Sequence, residues 1–229
     1  MDKTLLEQTV GTIITRYPQV IPHLGGDVFA VMTVDYFQAT LSRMVSNVYT
    51  SNMGGEFVDI LGALIRGQMK DAYNRAYADA GFSDALPDWL GADLEAIQTD
   101  QASFDYIYQY YKDIVDSQVD GKPLQPLLDR VSLWSNRWKE AYSRANVTIQ
   151  SQLGGRLMWK EGDTVDKCET CVSLNGIVAF ATEWELSGFK PQGSNLICGG
   201  WNCGCELVPT DKRRSKNAWD RIMSVPAHA

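Results

Sequence analysis

The sequence predicts a mainly α protein, a helical body that leads into a small α+β unit clamped by cysteines. Three observations carry that expectation. Apolar residues recur every three to four positions through most of the first 154 residues, which is the period of a helix with one buried face. Beyond the Gly154-Gly155 pair the texture changes to short strand-like runs and turns. All five cysteines of the 229 residues fall between Cys168 and Cys205, a clustering that scattered core cysteines rarely produce.

The helical elements follow in order. Leu6, Val10, Ile13, Ile14 and Tyr17 set a first stripe, ended by Pro18, Pro22 and Gly25-Gly26. From Asp27 a second stripe takes Phe29, Met32, Tyr36, Phe37, Leu41, Met44, Val45 and Val48, and stops near Ser51-Asn52. A third runs from Phe57 through Ile60, Leu61, Leu64, Gln68, Ala72 and Ala76 to Ala80, where Gly81 supplies a left-handed stop. After Pro87, the Trp89-Leu90-Gly91 and Asp93-Leu94-Glu95 runs fit either a short helix or a packed loop. Phe104, Ile107, Tyr108, Tyr111, Ile114 and Val115 make a fourth stripe, opened by Asp100 or Ser103 and closed by Gly121-Lys122-Pro123. Its aromatic face reads as core packing in preference to a ligand box, because aromatics dominate the packing of helical bodies. A last long helix is expected over about Leu127 to Leu153, with Val131, Trp134, Trp138, Ala141, Ala145 and Ile149 on one side.

Bulk properties narrow the functions. A 45% hydrophobic content in 229 residues is enough for one core, or one core plus a small satellite. A net charge of −7 argues against a surface that grips a nucleic-acid backbone everywhere. The charged start Met1 to Val10 does not read as an export signal, and apolar runs such as Ile60 to Ile65 are too short to span a bilayer. We therefore expect cytoplasmic synthesis, no membrane partner and reduced thiols.

The cysteines carry the chemistry. Cys168-Glu169-Thr170-Cys171 sets two thiols at the spacing at which a tight turn points both sulfurs at one cation. Cys198, Cys203 and Cys205 form a second group, with glycines at 199, 200 and 204 that permit knuckle conformations. Zinc is the expected structural cofactor: it is borderline soft, has no redox chemistry, and takes four thiolates in closed sites. The candidate ligands are Cys168, Cys171, Cys198, Cys203 and Cys205, which makes the unit zinc-finger-like. Between the two groups, Asn175-Gly176 predicts a type I′ hairpin between apolar strands, and Thr182 to Leu186 a helical turn stopped at Gly188. A redox dithiol would favour a strand-to-helix junction in a βαβ setting, and disulfides joining Cys168 to Cys203 or Cys205 are a further alternative.

Catalytic signatures are missing. The only histidines are His23 and His228, far in sequence from the cysteines. There is no His-x-Glu ahead of the C-x2-C, no His-Glu-x-x-His, no Walker loop and no dinucleotide glycine fingerprint. We expect no enzyme activity and no small-molecule substrate.

The last seventy residues resemble the Mu-F-like head-morphogenesis, or minor head, proteins of tailed bacteriophages. Members typically carry C-x2-C, a Leu-Asp-Gly, a variable insert, and a His-Pro-Asn-Cys-Arg-Cys close before an apolar strand. The matching positions are Cys168, Cys171, Leu174, Gly176, Asn202, Cys203 and Cys205, followed by Glu206-Leu207-Val208-Pro209. Asn175 replaces the usual aspartate, Gly204 the arginine, and Gly200 the histidine. Cys198, two residues before that position, is a candidate for the missing ligand, which leaves the fourth position open between Cys198 and Cys205. The resemblance implies a virion structural protein, made in the host cytoplasm, that acts with portal and capsid proteins in head morphogenesis.

The expected organisation is a helical body over 1–154, a cysteine-rich α+β domain over 155–210 and a basic C-terminal tail over 211–229. The Lys212-Arg213-Arg214-Ser215-Lys216 run in that tail is a weak candidate for contact with packaged DNA. The competing function is a cellular zinc-ribbon adaptor that binds nucleic acid or a protein.

Overall fold

The structure is a computed structural model that describes residues 34–99, 101–162, 167–193, 195–200 and 203–227. The first expected helix, over Leu6 to Tyr17, and the start of the second at Asp27 lie outside the described residues. The rest is mainly helical with one small sheet, as the sequence predicts. Helices α1 (Val34–Tyr49), α2 (Glu56–Asp79), α3 (Asp88–Gln98), α4 (Gln101–Val119), α5 (Gln125–Asp129) and α6 (Val131–Leu153) precede strand β1 (Arg156–Lys160). Helix α7 (Glu169–Leu174), strand β2 (Val178–Phe180), helix α8 (Ala181–Ser187), strand β3 (Glu206–Pro209) and helix α9 (Ala218–Met223) follow. Among the described residues no helix is long and apolar enough to cross a membrane.

The chain divides into two compact units, one of residues 1–71 and 94–138, the other of residues 72–93 and 139–229. In the first, α1 packs on α4 and α5, and the buried side chains of α1, Phe37, Leu41, Met44, Val45 and Val48, keep the three-and-four spacing that placed them on one face. Phe57 meets Tyr110 edge-on and stacks with Tyr111, each at 6.0 Å between ring centres, and Tyr110 stacks on Trp134 at 5.7 Å.

Two details of this unit correct the sequence reading. Tyr108, expected in the α4 core stripe, is exposed, and Tyr110 is fully buried in its place beside Ile107 and Ile114. Tyr110 can be buried because its hydroxyl donates to the Leu127 carbonyl at 2.6 Å, which satisfies the phenol. The helix expected over Leu127 to Leu153 is broken at Arg130 into α5 and α6. The joint carries i to i−3 bonds, Arg130 N–H to Leu127 O and Leu133 N–H to Arg130 O. The Arg130 guanidinium reaches Asp113 at 2.6 Å and lies 4.5 Å from the Tyr110 ring centre.

The second unit holds the sheet, ordered β2-β1-β3 with both pairings antiparallel. Leu157 pairs with Ala179 and Pro209, and Trp159 with Leu207. Leu157, Trp159, Ala179 and Leu207 alternate inward, the period of a strand with one covered face, and join Trp184 of α8 and Ala218 and Ile222 of α9 in one core. The Trp184 indole N–H donates to the Leu157 carbonyl at 3.1 Å, and its ring lies 5.7 Å from that of Trp159. At the α2–α3–α6 side of this unit, Asp93 accepts from Tyr73, Arg144 and Thr148.

The segment over 211–229 expected to be a tail instead joins this core through Ala218 and Ile222, with Val225 packed against it. Ala218 and Ile222 are fully buried. Ser215 N–H donates to the Val178 carbonyl at 2.8 Å, and its hydroxyl accepts from the Val178 N–H at 3.0 Å, so the basic run lies along β2. Arg214 pairs with the Glu183 carboxylate, which also accepts the Phe180 N–H at the start of α8.

Candidate metal centre

The C-x2-C stands at the opening of α7. Cys168 is the N-cap in extended conformation, φ −68° and ψ 134°, and Cys171 is buried within the first turn. The C-x2-C opens a helix that runs on to Leu174, so the residues after Cys171 do not form the first strand of the expected hairpin. Asn175 at φ −57°, ψ 130° and Gly176 at φ +76° make a type II turn, closed by Ile177 N–H to Leu174 O at 3.0 Å. Gly176 is required at the left-handed position of either turn. The choice between them was made by α7, whose helical residues cannot serve as a strand. Gly188, at φ +74°, ends α8 as the sequence indicates.

The second cysteine group comes from two places. Cys198 lies in the turns over 195–200, and Cys203 and Cys205 lie immediately before β3. The structure brings all five sulfurs together in two triangles that share Cys171. One is Cys168, Cys171 and Cys198, the other Cys171, Cys203 and Cys205, and within each triangle all sulfurs lie within 4.8 Å of one another. Cys171, Cys203 and Cys205 are buried, whereas Cys168 and Cys198 are partly buried at the edge of the same core. All five are free thiols, and the Cys171 and Cys203 sulfurs are 3.9 Å apart.

These residues fit a thiophilic cation. With metal–sulfur bonds of about 2.3 Å, the edge of a tetrahedron of four sulfurs is about 3.8 Å, close to the Cys171–Cys203 separation. The donors are soft, the surrounding core is apolar, and the cluster can hold a metal ion.

Electrostatics favour partial ionisation. Hydrogen bonds from the Cys171 and Cys205 thiols, with the Gln192 backbone N–H, hold Cys203 far below the usual thiol range against the cost of its burial. The same contacts with Cys203 and Cys205 push Cys171 up. Burial raises Cys168, but the backbone N–H groups of Cys171 and Cys198 outweigh it and bring that thiol down to about 7. Without a cation the inner triangle therefore favours one thiolate and two thiols, and a cation would displace the remaining protons.

Three further residues build the site without being ligands. The Gln192 side-chain amide donates to the Cys203 and Cys205 carbonyls at 2.8 and 3.0 Å, while its backbone takes φ +61°. The Thr170 hydroxyl donates to Pro226 O at 2.8 Å and accepts the Ile197 N–H at 3.1 Å. It thereby joins α7, the residue beside Cys198 and the segment after α9. Gly162 packs flat on Gly204, where a Cβ would lie 2.3 Å from the Gly204 carbonyl carbon. The sequence signals were faint: a Pro191-Gln192-Gly193 turn, a threonine inside the C-x2-C, and a glycine after β1.

Neither the family models, the curated proteins nor the solved structures contain a match to this chain.

Proposed function

We propose that this chain is a structural, non-enzymatic protein of tailed-phage head morphogenesis whose cysteine cluster is a closed zinc clamp. The observation that carries the reading is the convergence of the C-x2-C and the C-x-C on one buried point, directly ahead of an apolar strand, β3. That is the order of parts the resemblance to minor head proteins implies. A closed structural site uses all four zinc positions for protein ligands, whereas a catalytic one keeps a position for water. Five thiols around an apolar centre supply the first and disfavour the second.

On this reading the ion replaces core volume that a unit with three short strands does not supply by itself. It fixes α7 against the loop before β3, and so fixes the unit for docking on portal and capsid proteins. The protein is made in the host cytoplasm and ends in the virion. Zinc is favoured over other thiophilic ions because a structural role asks for no change of oxidation state.

The test has two parts. Purified chain is expected to carry one zinc per molecule by elemental analysis. In the phage that encodes it, deletion of the gene is expected to abolish DNA-filled heads by electron microscopy, with the chain found by mass spectrometry in purified wild-type particles. A chain absent from the particles, with normal heads in the deletion, would overturn the assembly role.

A further inference from the structure

The five sulfurs meet as two groups of three, and every pair within a group lies within 4.8 Å. Cys171 belongs to both. Among the described residues no four of these sulfurs stand that close together, so zinc, which asks for four, has to draw one across from the other group. Each group as it stands matches a three-coordinate ion. A flat site of three sulfurs with metal–sulfur bonds of about 2.3 Å has edges of about 4.0 Å, and the Cys171 and Cys203 sulfurs are 3.9 Å apart.

The number of sulfurs agrees with this. Two tetrahedral ions that share one sulfur require seven, whereas two three-coordinate ions that share one require five, and the chain has five cysteines. Backbone donors hold the two groups separately. Cys168 accepts from the Cys171 and Cys198 N–H groups, and Cys198 from the Gly200 N–H. Cys203 accepts from the Gln192 N–H, and Cys205 from the Gly162 N–H. Each sulfur other than the shared one is thus oriented by a backbone donor, which fixes a thiolate and offsets part of its charge. Cys203 and Cys205 are buried and Cys168 and Cys198 partly buried, so one group is enclosed by the core and the other stands at its edge.

Building on the metal-binding reading above, we infer that the cluster is also a two-ion site for monovalent copper. Cys171, Cys203 and Cys205 hold one Cu⁺, Cys168, Cys171 and Cys198 hold the other, and the Cys171 sulfur bridges them. Cu⁺ is the fitting ion because soft thiolates select it, and its filled d shell accepts three sulfurs without a fourth ligand. Loading forms three metal–sulfur bonds on each ion. The thiol protons leave to solvent, and no electron moves. The same five sulfurs thus serve one zinc or two copper ions.

Anaerobic titration of the full-length chain with Cu⁺, supplied as its acetonitrile complex, tests this. Wild type is expected to retain two copper ions per chain after desalting. X-ray absorption at the copper edge is expected to show three sulfurs around each ion and a second copper close by. The C168S/C198S variant, which alters only the edge group, is expected to retain one copper with three sulfurs and no copper neighbour. In C171S the bridge is gone, and the average number of sulfurs per copper is expected to fall from three to two. Fluorescence of the Trp159–Trp184 pair checks that each variant keeps its core, and the wild-type copper count and spectrum decide by themselves where a variant does not.

A wild type that saturates at one copper, or a double variant that still retains two, would overturn the copper pair and leave the zinc clamp standing. Two bridged copper ions in a chain that takes up no zinc would support the pair and remove the zinc reading. A wild-type chain that binds neither metal would remove both.

Discussion

At Gly162 an added methyl group would meet backbone at 2.3 Å, and at Gly200 it would meet the Gln192 carbonyl oxygen at 2.2 Å in a left-handed conformation. Gly176 shares the left-handed conformation, yet nothing lies within 4 Å of the added atom. Alanine at 162 or 200 is therefore expected to destabilise the C-terminal unit by about 3 kcal/mol through overpacking, and alanine at 176 by only about 1 kcal/mol through backbone strain. Urea unfolding of the three variants checks the ranking. Asp93 offers a pH test. Burial raises its pKa, but hydrogen bonds from Arg144 and Tyr73 outweigh that and hold it below the ordinary carboxylate value. A folded value below the unfolded one means that its contribution is complete above about pH 4 and is lost as the pH falls through the folded value. Because Arg144 is a third exposed, D93N is expected to cost about 2 kcal/mol at neutral pH. The gap to wild type should narrow as acid unfolding approaches, which thermal melts at several pH values would show.

At the scale of elements, residues whose period was local were legible and those fixed by a distant partner were not. The α1 face, the glycine stops at 81 and 188, and β1 follow from spacing and turn chemistry alone. The α4 stripe took Tyr108 where Tyr110 is the buried residue, because Tyr110 is buried through a carbonyl seventeen residues away. The joint at Arg130 depends on Asp113 and the Tyr110 ring, which no helical pattern announces. At the cysteine site the sulfurs were legible, since thiol clustering is a property of composition. Their braces were not, because Thr170 and Gln192 act on backbone groups that the sequence does not mark. Thr170 joins three segments through one buried hydroxyl. T170V leaves the Ile197 N–H and the Pro226 carbonyl without it, and is expected to cost about 2 kcal/mol and to speed metal loss to a chelator. The helices of the first unit should keep their far-ultraviolet signal.

On the scale of the whole molecule, the second unit is closed by parts that lie far apart in the chain. Chelation is expected to lower its melting temperature sharply while most helical signal persists, because binding free energy in a thiolate site is folding free energy. Acid should have the same effect before the carboxylates titrate. Cys171 carries a raised pKa, its proton competes with the cation, and affinity falls as pH falls. Metal release followed with a chromogenic indicator between pH 7 and pH 5 reads this directly. Ala218 and Ile222 are core, so I222A is expected to cost about 3 kcal/mol, and removal of residues 211–229 should leave the sheet unable to form.

Helix α9 packs behind a sheet whose central strand is made first and whose outer strand and covering helix are made last. During translation, β1 must therefore wait, with Trp159 uncovered, until Ile222 has cleared the ribosome exit tunnel. The thiols of Cys168 and Cys171 wait with it, and on the proposed clamp an ion captured before the later cysteines emerge has at most two of its ligands. Loading is thus a late event in biogenesis, and a nascent chain stalled short of Ile222 is the form most exposed to aggregation.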